Sequence, residues 1–106
     1  MKIWVDDIRL PPKGWVWCKT SQETIRYLVN AKIAVEKGWV GRDEAIEVMS
    51  LDHDLGFITY MQRDDTTRPT VLWMCENDFW PNEVRVHSAN PVGVEWLEGM
   101  IERYKP

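Results

Sequence analysis

The sequence of 106 residues has only two cysteines, and Cys18 and Cys75 stand far outside any C-x-x-C spacing. No disulfide framework and no zinc knuckle can be read from such a pair, so both are expected to be reduced core residues. Positive charge is also scarce: thirteen Lys and Arg against seventeen Asp and Glu leave a net charge of −4, with a pI near 5.1. Duplex binding relies on clustered cations along the phosphate backbone, so duplex DNA is not an expected partner. A bound phosphate would have to be held by a metal cation or by a few aimed donors. No apolar run approaches the roughly 18 residues a membrane span needs, and no membrane is an expected partner. The opening "MKIWVDDIRL" runs into acids too soon to read as a signal peptide. A cytoplasmic protein is the expectation. Internal repeats, low-complexity tracts and linkers are missing too. With 44% hydrophobic residues, the chain is expected to form one domain over residues 1–106.

Against these absences stand four short stretches rich in Val, Ile and Trp, "KIWVD" (2–6), "WVWCK" (15–19), "EVMSLD" (47–52) and "EVRVHS" (83–88), which read as strands. Three helical segments separate or follow them. The first starts at "TSQE", where Thr20 and Glu23 form a capping box, continues with Ile25, Leu28, Val29 and Ile33 as its apolar face, and stops at Gly38. The second has Pro69 in its first turn and carries Val71, Leu72, Trp73 and Cys75. The third has Asn90 as cap and Pro91 as first residue, with Leu97, Met100, Ile101 and Tyr104 at helical spacing. Residues 57–67 read as a loop. This alternation predicts an α/β fold, a small three-layer arrangement around a mostly parallel sheet of about four strands. The connection over residues 7–14 is shorter than the dozen or so residues of a helical crossover. Either a stunted loop replaces a helix there, or the second strand runs antiparallel at an edge.

The polar residues gather at the ends of the strands, where an open parallel sheet binds its ligands. The first strand stops in Asp6-Asp7, the third in Asp52-His53-Asp54, and the fourth in His87-Ser88 followed by Asn90. Carboxylates held together repel one another, and a divalent cation relieves that repulsion. The set therefore predicts a site for Mg2+ or Mn2+, with Asp7 and Asp52 holding the ion and Asp6 orienting a metal-bound water. Arg9, Ser88 and Asn90 are the candidate substrate-binding residues, and Asp52, His87 and His53 the candidate catalytic ones. Simpler roles exist for several: turn chemistry for Asp6, Asp7 and Asp54, a salt bridge for Arg9, and helix capping for Ser88 and Asn90. Seven tryptophans are present, and Trp15, Trp17 and Trp80, next to Pro/Gly loops, are the candidates for stacking on a base.

At these residues the chain resembles the receiver domains of response regulators, which have an acid pair after strand one, a phosphoacceptor aspartate ending strand three and a Ser or Thr ending strand four. Here those are Asp6-Asp7, Asp52 in "DHDLG" and Ser88, and the resemblance implies the backbone carbonyl of Asp54 as a metal ligand. The first helix and the fifth strand, with its lysine, are missing, so the expected fold is receiver-like (flavodoxin-like) without them. The segments "WVDDIR", "SLDHDLG" and "RVHSANPVG" are similar to those of the cyclic-phosphate processing receiver-like domain family over nearly the whole chain. That resemblance implies metal-dependent processing of a phosphate ester, with a cyclic phosphate of an RNA end or a cyclic nucleotide as partner. The alternative is a module that binds or sequesters a nucleotide without chemistry. A D-x-D phosphatase reading of "LDHDLG" lacks its downstream lysine, for which only Lys105 is present, and two histidines cannot supply the ligand set of a histidine-aspartate phosphohydrolase.

Overall fold

A computed structural model describes residues 1–106. In chain order its elements are β1 (Lys2–Val5), β2 (Val16–Cys18), α1 (Ser21–Glu36), a single helical turn α2 (Arg42–Ala45), β3 (Val48–Leu51), β4 (Asp54–Ile58), a 3-10 turn at Thr59–Met61, β5 (Arg63–Thr66), α3 (Arg68–Asn77), β6 (Glu83–Val86) and α4 (Pro91–Tyr104). The strands β1, β2, β3 and β6 form one sheet in the order β2-β1-β3-β6, and every pairing is parallel. Helices flank this four-stranded sheet, the architecture expected from the sequence. The open question of the second strand is answered by a stunted connection. Residues 6–15 return to the start of β2 with no helix, helped by Gly14 at φ +85°.

Alternation along the strands divides the sheet into two faces. Ile3, Val5, Met49 and Leu51 lie on one and are buried in the main core with Leu28, Val71, Met74 and Leu97 from the helices. The other face carries Trp4, Ser50 and Arg85, in register across the sheet. Cys18 is buried and its thiol is pushed up to about 12, chiefly by burial; Cys75 is half-buried and also free.

Two expectations need correction. Residues 57–67 are not a plain loop, because β4 and β5 pair as an antiparallel hairpin closed by Gln62 in the left-handed region. Asp64 and Asp65 have low strand propensity, and only the pairing with β4 makes their segment extended. The buried face of α1 is Ser21, Thr24, Leu28 and Ala31, whereas Val29 and Ile33 are exposed. Small residues there allow a close approach to α3, where the Thr70 hydroxyl donates to the Ser21 carbonyl at 3.4 Å. The helix ends follow the sequence more closely. Thr20 Oγ1 accepts from the Glu23 N–H at 3.1 Å, Asn90 caps α4, and Gly38 at φ +72° follows the end of α1. No helix is long and apolar enough to cross a membrane.

Candidate functional site

The period of two that separates the sheet faces also builds the site. Trp4 pairs with Ser50 and Ser50 with Arg85, so two residues further on Asp6, Asp52 and His87 leave their strands on the same side. The ladder continues that far, with the Asp52 N–H donating to Val5 O and the His87 N–H to Leu51 O, both at 2.9 Å. An oxygen each of Asp6, Asp7 and Asp52 then lies within 4.8 Å of the others.

The three carboxylates are not equivalent. Asp6 is 1% exposed and its oxygens are taken up internally. Its Oδ1 accepts from the Ile8 and Arg9 N–H groups at 2.9 Å, and its Oδ2 from His87 Nε2 at 3.0 Å and Arg9 Nη1 at 3.4 Å. Burial pushes this carboxyl up, but the two backbone donors and the imidazole outweigh it and hold it below the usual range. Asp6 therefore does what a turn residue does and also supports the site. Asp7 is held above the usual carboxylate range, first by burial and then by the charges of Asp6, Asp52 and Asp54. Asp52 accepts only its neighbour's N–H, from His53 at 2.8 Å, and its Oδ2 is 3.9 Å from Arg9. Asp7 and Asp52 thus retain lone pairs that a hard divalent cation favours, and the residues present fit such an ion.

His87 is fixed on three sides. Nε2 carries a proton toward Asp6, the Ser50 hydroxyl meets Nδ1 at 2.7 Å, and the ring stacks on Trp4 with centroids 3.8 Å apart and planes 5° from parallel. Arg9 braces the same corner, with Nη1 donating to the His87 carbonyl at 3.0 Å and its own carbonyl accepting from Trp4 Nε1 at 2.9 Å.

His53 and Asp54 lie beside this cluster, with their side chains engaged by other groups. His53 is buried, and Arg68 Nε donates to its Nε2 at 2.9 Å, so Nδ1 carries the ring proton and faces Asp54 Oδ1 at 3.0 Å. Asp54 accepts at Oδ2 from Asn90 Nδ2 at 3.1 Å. Its carboxyl sits below the usual range, first because of the His53 hydrogen bond and then, against the opposing effect of burial, because of Asn90. Its side chain is therefore turned to His53 and Asn90 rather than to the three acids. Asn90 Oδ1 also accepts from the Gly93 N–H at 3.1 Å, and Ser88 Oγ from the Asn90 N–H at 3.2 Å, so both residues shape the entry to α4.

The sequence reading gives no site role to Ser50, Trp4, Arg68 or Gly93. Ser50 and Trp4 had a signal, since each precedes a site aspartate by two residues on an alternating strand; Gly93 ends the segment "RVHSANPVG", and Arg68 had none. The stacking candidates fare differently. Trp80 is buried in the core, Trp17 donates from Nε1 to the Asp6 carbonyl at 2.6 Å, and Trp15 meets Trp4 edge-on. A hollow of about 290 Å³ among Arg42, Asp78, Trp80, Asn82 and Lys105 includes none of the acid-cluster residues.

Gly56 explains why the acidic strand end runs into glycine. It sits at φ +83°, and a β-carbon there would lie 2.9 Å from Asp7 Oδ2. Gly56→Ala is expected to cost about 1–3 kcal/mol in backbone strain and to displace the Asp7 carboxylate, weakening cation binding. Melting curves with and without magnesium check both effects; an unchanged cation response would refute the role given to this contact.

Comparison with known proteins agrees with the geometry. The family model for the cyclic-phosphate processing receiver domain matches residues 1–103. No curated protein and no solved structure matches the chain. Since that match covers nearly the whole chain, and the acid-bearing strand ends meet as a receiver-like sheet requires, the chain belongs to the cyclic-phosphate processing receiver domain family.

Proposed function

We propose that this protein binds a cyclic phosphate ester, an RNA end or a cyclic nucleotide, at a divalent cation held by Asp7 and Asp52, and processes it there. The observation that carries the reading is the convergence of the Asp6, Asp7 and Asp52 oxygens within 4.8 Å in a chain of this family. By the family resemblance the Asp54 carbonyl completes the ligand set. A bound magnesium or manganese ion supplies neutralisation of the carboxylates and polarisation of a phosphate oxygen. Arg9, half exposed and braced by Asp6, presents donors to the phosphate as a planar fork. The Ser88 hydroxyl, whose oxygen accepts from the Asn90 N–H, keeps its own proton to donate to the same anion. Asn90 holds the start of α4 in place for both. Asp6 holds the Nε2–H of His87 beside the acid cluster, and this imidazole is the group assigned to move a proton.

The test is turnover of 2′,3′-cyclic phosphate ends and of cyclic nucleotides with magnesium or manganese. Asp52→Asn is expected to lower turnover by about 100-fold or more, since even residues that only support metal ligands typically cost 10–100-fold. Activity surviving in Asp52→Asn would overturn the reading.

A second reading, capture without chemistry, is favoured by one observation: both nitrogens of His87 and both of His53 are engaged by protein groups. Calorimetry followed by recovery of the ligand separates the two. Intact ligand after tight, cation-dependent binding identifies capture.

A further inference from the structure

A cavity of about 380 Å³ lies between the β4–β5 hairpin and the first turns of α1 and α3. Gln22 and Ile25 line it from α1, Ile58, Tyr60 and Arg63 from the hairpin, and Pro69 from α3. Its volume falls within the range of small-molecule sites. One strand connects it to the acid cluster. Gly56 lies against the Asp7 carboxylate, and Ile58 in the cavity wall is two residues on, at most about 7 Å along an extended chain. That separation is comparable with the reach from the phosphate to the base within a single nucleotide.

The chemistry of the cavity suits a base rather than a second phosphate. A helix N-terminus ordinarily attracts an anion, but that of α1 already has one. Asp65, only 5% exposed, accepts from the Ser21 N–H at 2.9 Å and the Ser21 hydroxyl at 2.6 Å. A ligand phosphate placed there would meet that carboxylate. Ile25, Ile58 and Pro69 instead offer apolar walls, and the Tyr60 ring, 77% exposed, offers a face on which a planar group can stack. Gln22 Oε1 accepts from the Tyr60 hydroxyl at 3.2 Å, which orients the amide and leaves its N–H2 to donate to a base edge.

We propose that this cavity is the nucleobase subsite of the acid-cluster site, so that the ligand is a nucleoside 2′,3′-cyclic phosphate with its base seated under the hairpin. This rests on the reading that the acid cluster takes the cyclic phosphate. The ligand can be free or at the end of an RNA strand, and both share this chemistry.

Titration of the full chain in magnesium tests it with four probes: adenosine and uridine 2′,3′-cyclic phosphates, a trinucleotide ending in one, and methyl riboside 2,3-cyclic phosphate, which has no base. The nucleosides are expected to bind about 10-fold or more tightly than the methyl riboside, from stacking alone. Tyr60→Ala, at an exposed position, and Ile25→Trp, which fills the cavity, should each erase that advantage while leaving the methyl riboside affinity and the melting temperature close to wild type. A trinucleotide bound as tightly as the mononucleotide points to RNA ends as the source, and one bound far more weakly to free nucleotides; both results support the subsite. If the base gives no advantage while the methyl riboside still binds in an Asp52-dependent manner, the subsite is wrong and the acid-cluster reading stands. If no probe binds, or binding ignores Asp52→Asn, that reading falls and takes the subsite with it.

Discussion

Replacing Asp7 with asparagine is expected to stabilise the metal-free protein at neutral pH and to abolish its response to magnesium. The folded Asp7 carboxyl is raised above its usual value by burial and by three neighbouring aspartates. Its protonated form therefore favours the fold, and this contribution is lost as pH rises through the raised folded value. At neutral pH the ionised group opposes folding. The asparagine variant is free of that penalty, so its metal-free melting temperature should exceed that of wild type above the carboxylate range and the difference should vanish in acid. Magnesium reverses the order. At a hundredfold excess over Kd, a ligand that binds only the folded state stabilises it by about 2.7 kcal/mol, and wild type alone should show this gain. Thermal melts across the pH range, in chelator and in magnesium, read both effects. A variant less stable than wild type in chelator at neutral pH would contradict the electrostatic account, and a retained magnesium shift would remove Asp7 from the ligand set.

The second large effect belongs to a residue with no side chain. Gly93, in the first turn of α4, is buried against His53, and a β-carbon there would lie 2.4 Å from His53 Cγ and 2.7 Å from its Cβ. These are not the far atoms of a flexible chain. The imidazole is held at one nitrogen by Arg68 and at the other by Asp54, and the Arg68 guanidinium packs over Trp96 at 4.7 Å. Relief must come from moving α4 or breaking that network. Gly93→Ala is expected to cost about 3 kcal/mol, at the upper end for overpacking a core. On a domain of this size that lowers the melting temperature by something on the order of 15 °C. Gly99 supplies the control within the same helix, because nothing lies within 4 Å of a β-carbon there. Gly99→Ala should be neutral or stabilising by up to about 1 kcal/mol, from helix propensity. Equal effects at the two glycines would show that the contact with His53 carries no strain.

These predictions mark where the sequence could and could not be read. The receiver-like sheet was legible because four stretches rich in β-branched and aromatic residues alternate with capped helices, and caps act within a turn. The cluster of Asp6, Asp7 and Asp52 followed from their places at strand ends, since parallel strands deliver their carboxyl ends to one edge. The side chains of His53 and Asp54 turn instead to each other, Arg68 and Asn90, which the sequence does not show, because just beyond a strand end the chain turns and alternation stops. The inner face of α1 was misread for a related reason. Its hydrophobic residues were assumed to face inward, whereas the close neighbour α3 required the small ones.

What the sequence by itself determined about this protein is therefore local: the four strands of the parallel sheet, most of the helix ends and the three acids at the strand tips, all set by side-chain period and by hydrogen bonds spanning a few residues. Only the tertiary structure decided that Ser50 and Asp6 clasp His87, that Asp65 caps α1 from 44 residues away, and that Gly93 lies against His53. Such pairings depend on strand register and on where each helix comes to rest, and those are set by packing across the whole core rather than by any short stretch of chain.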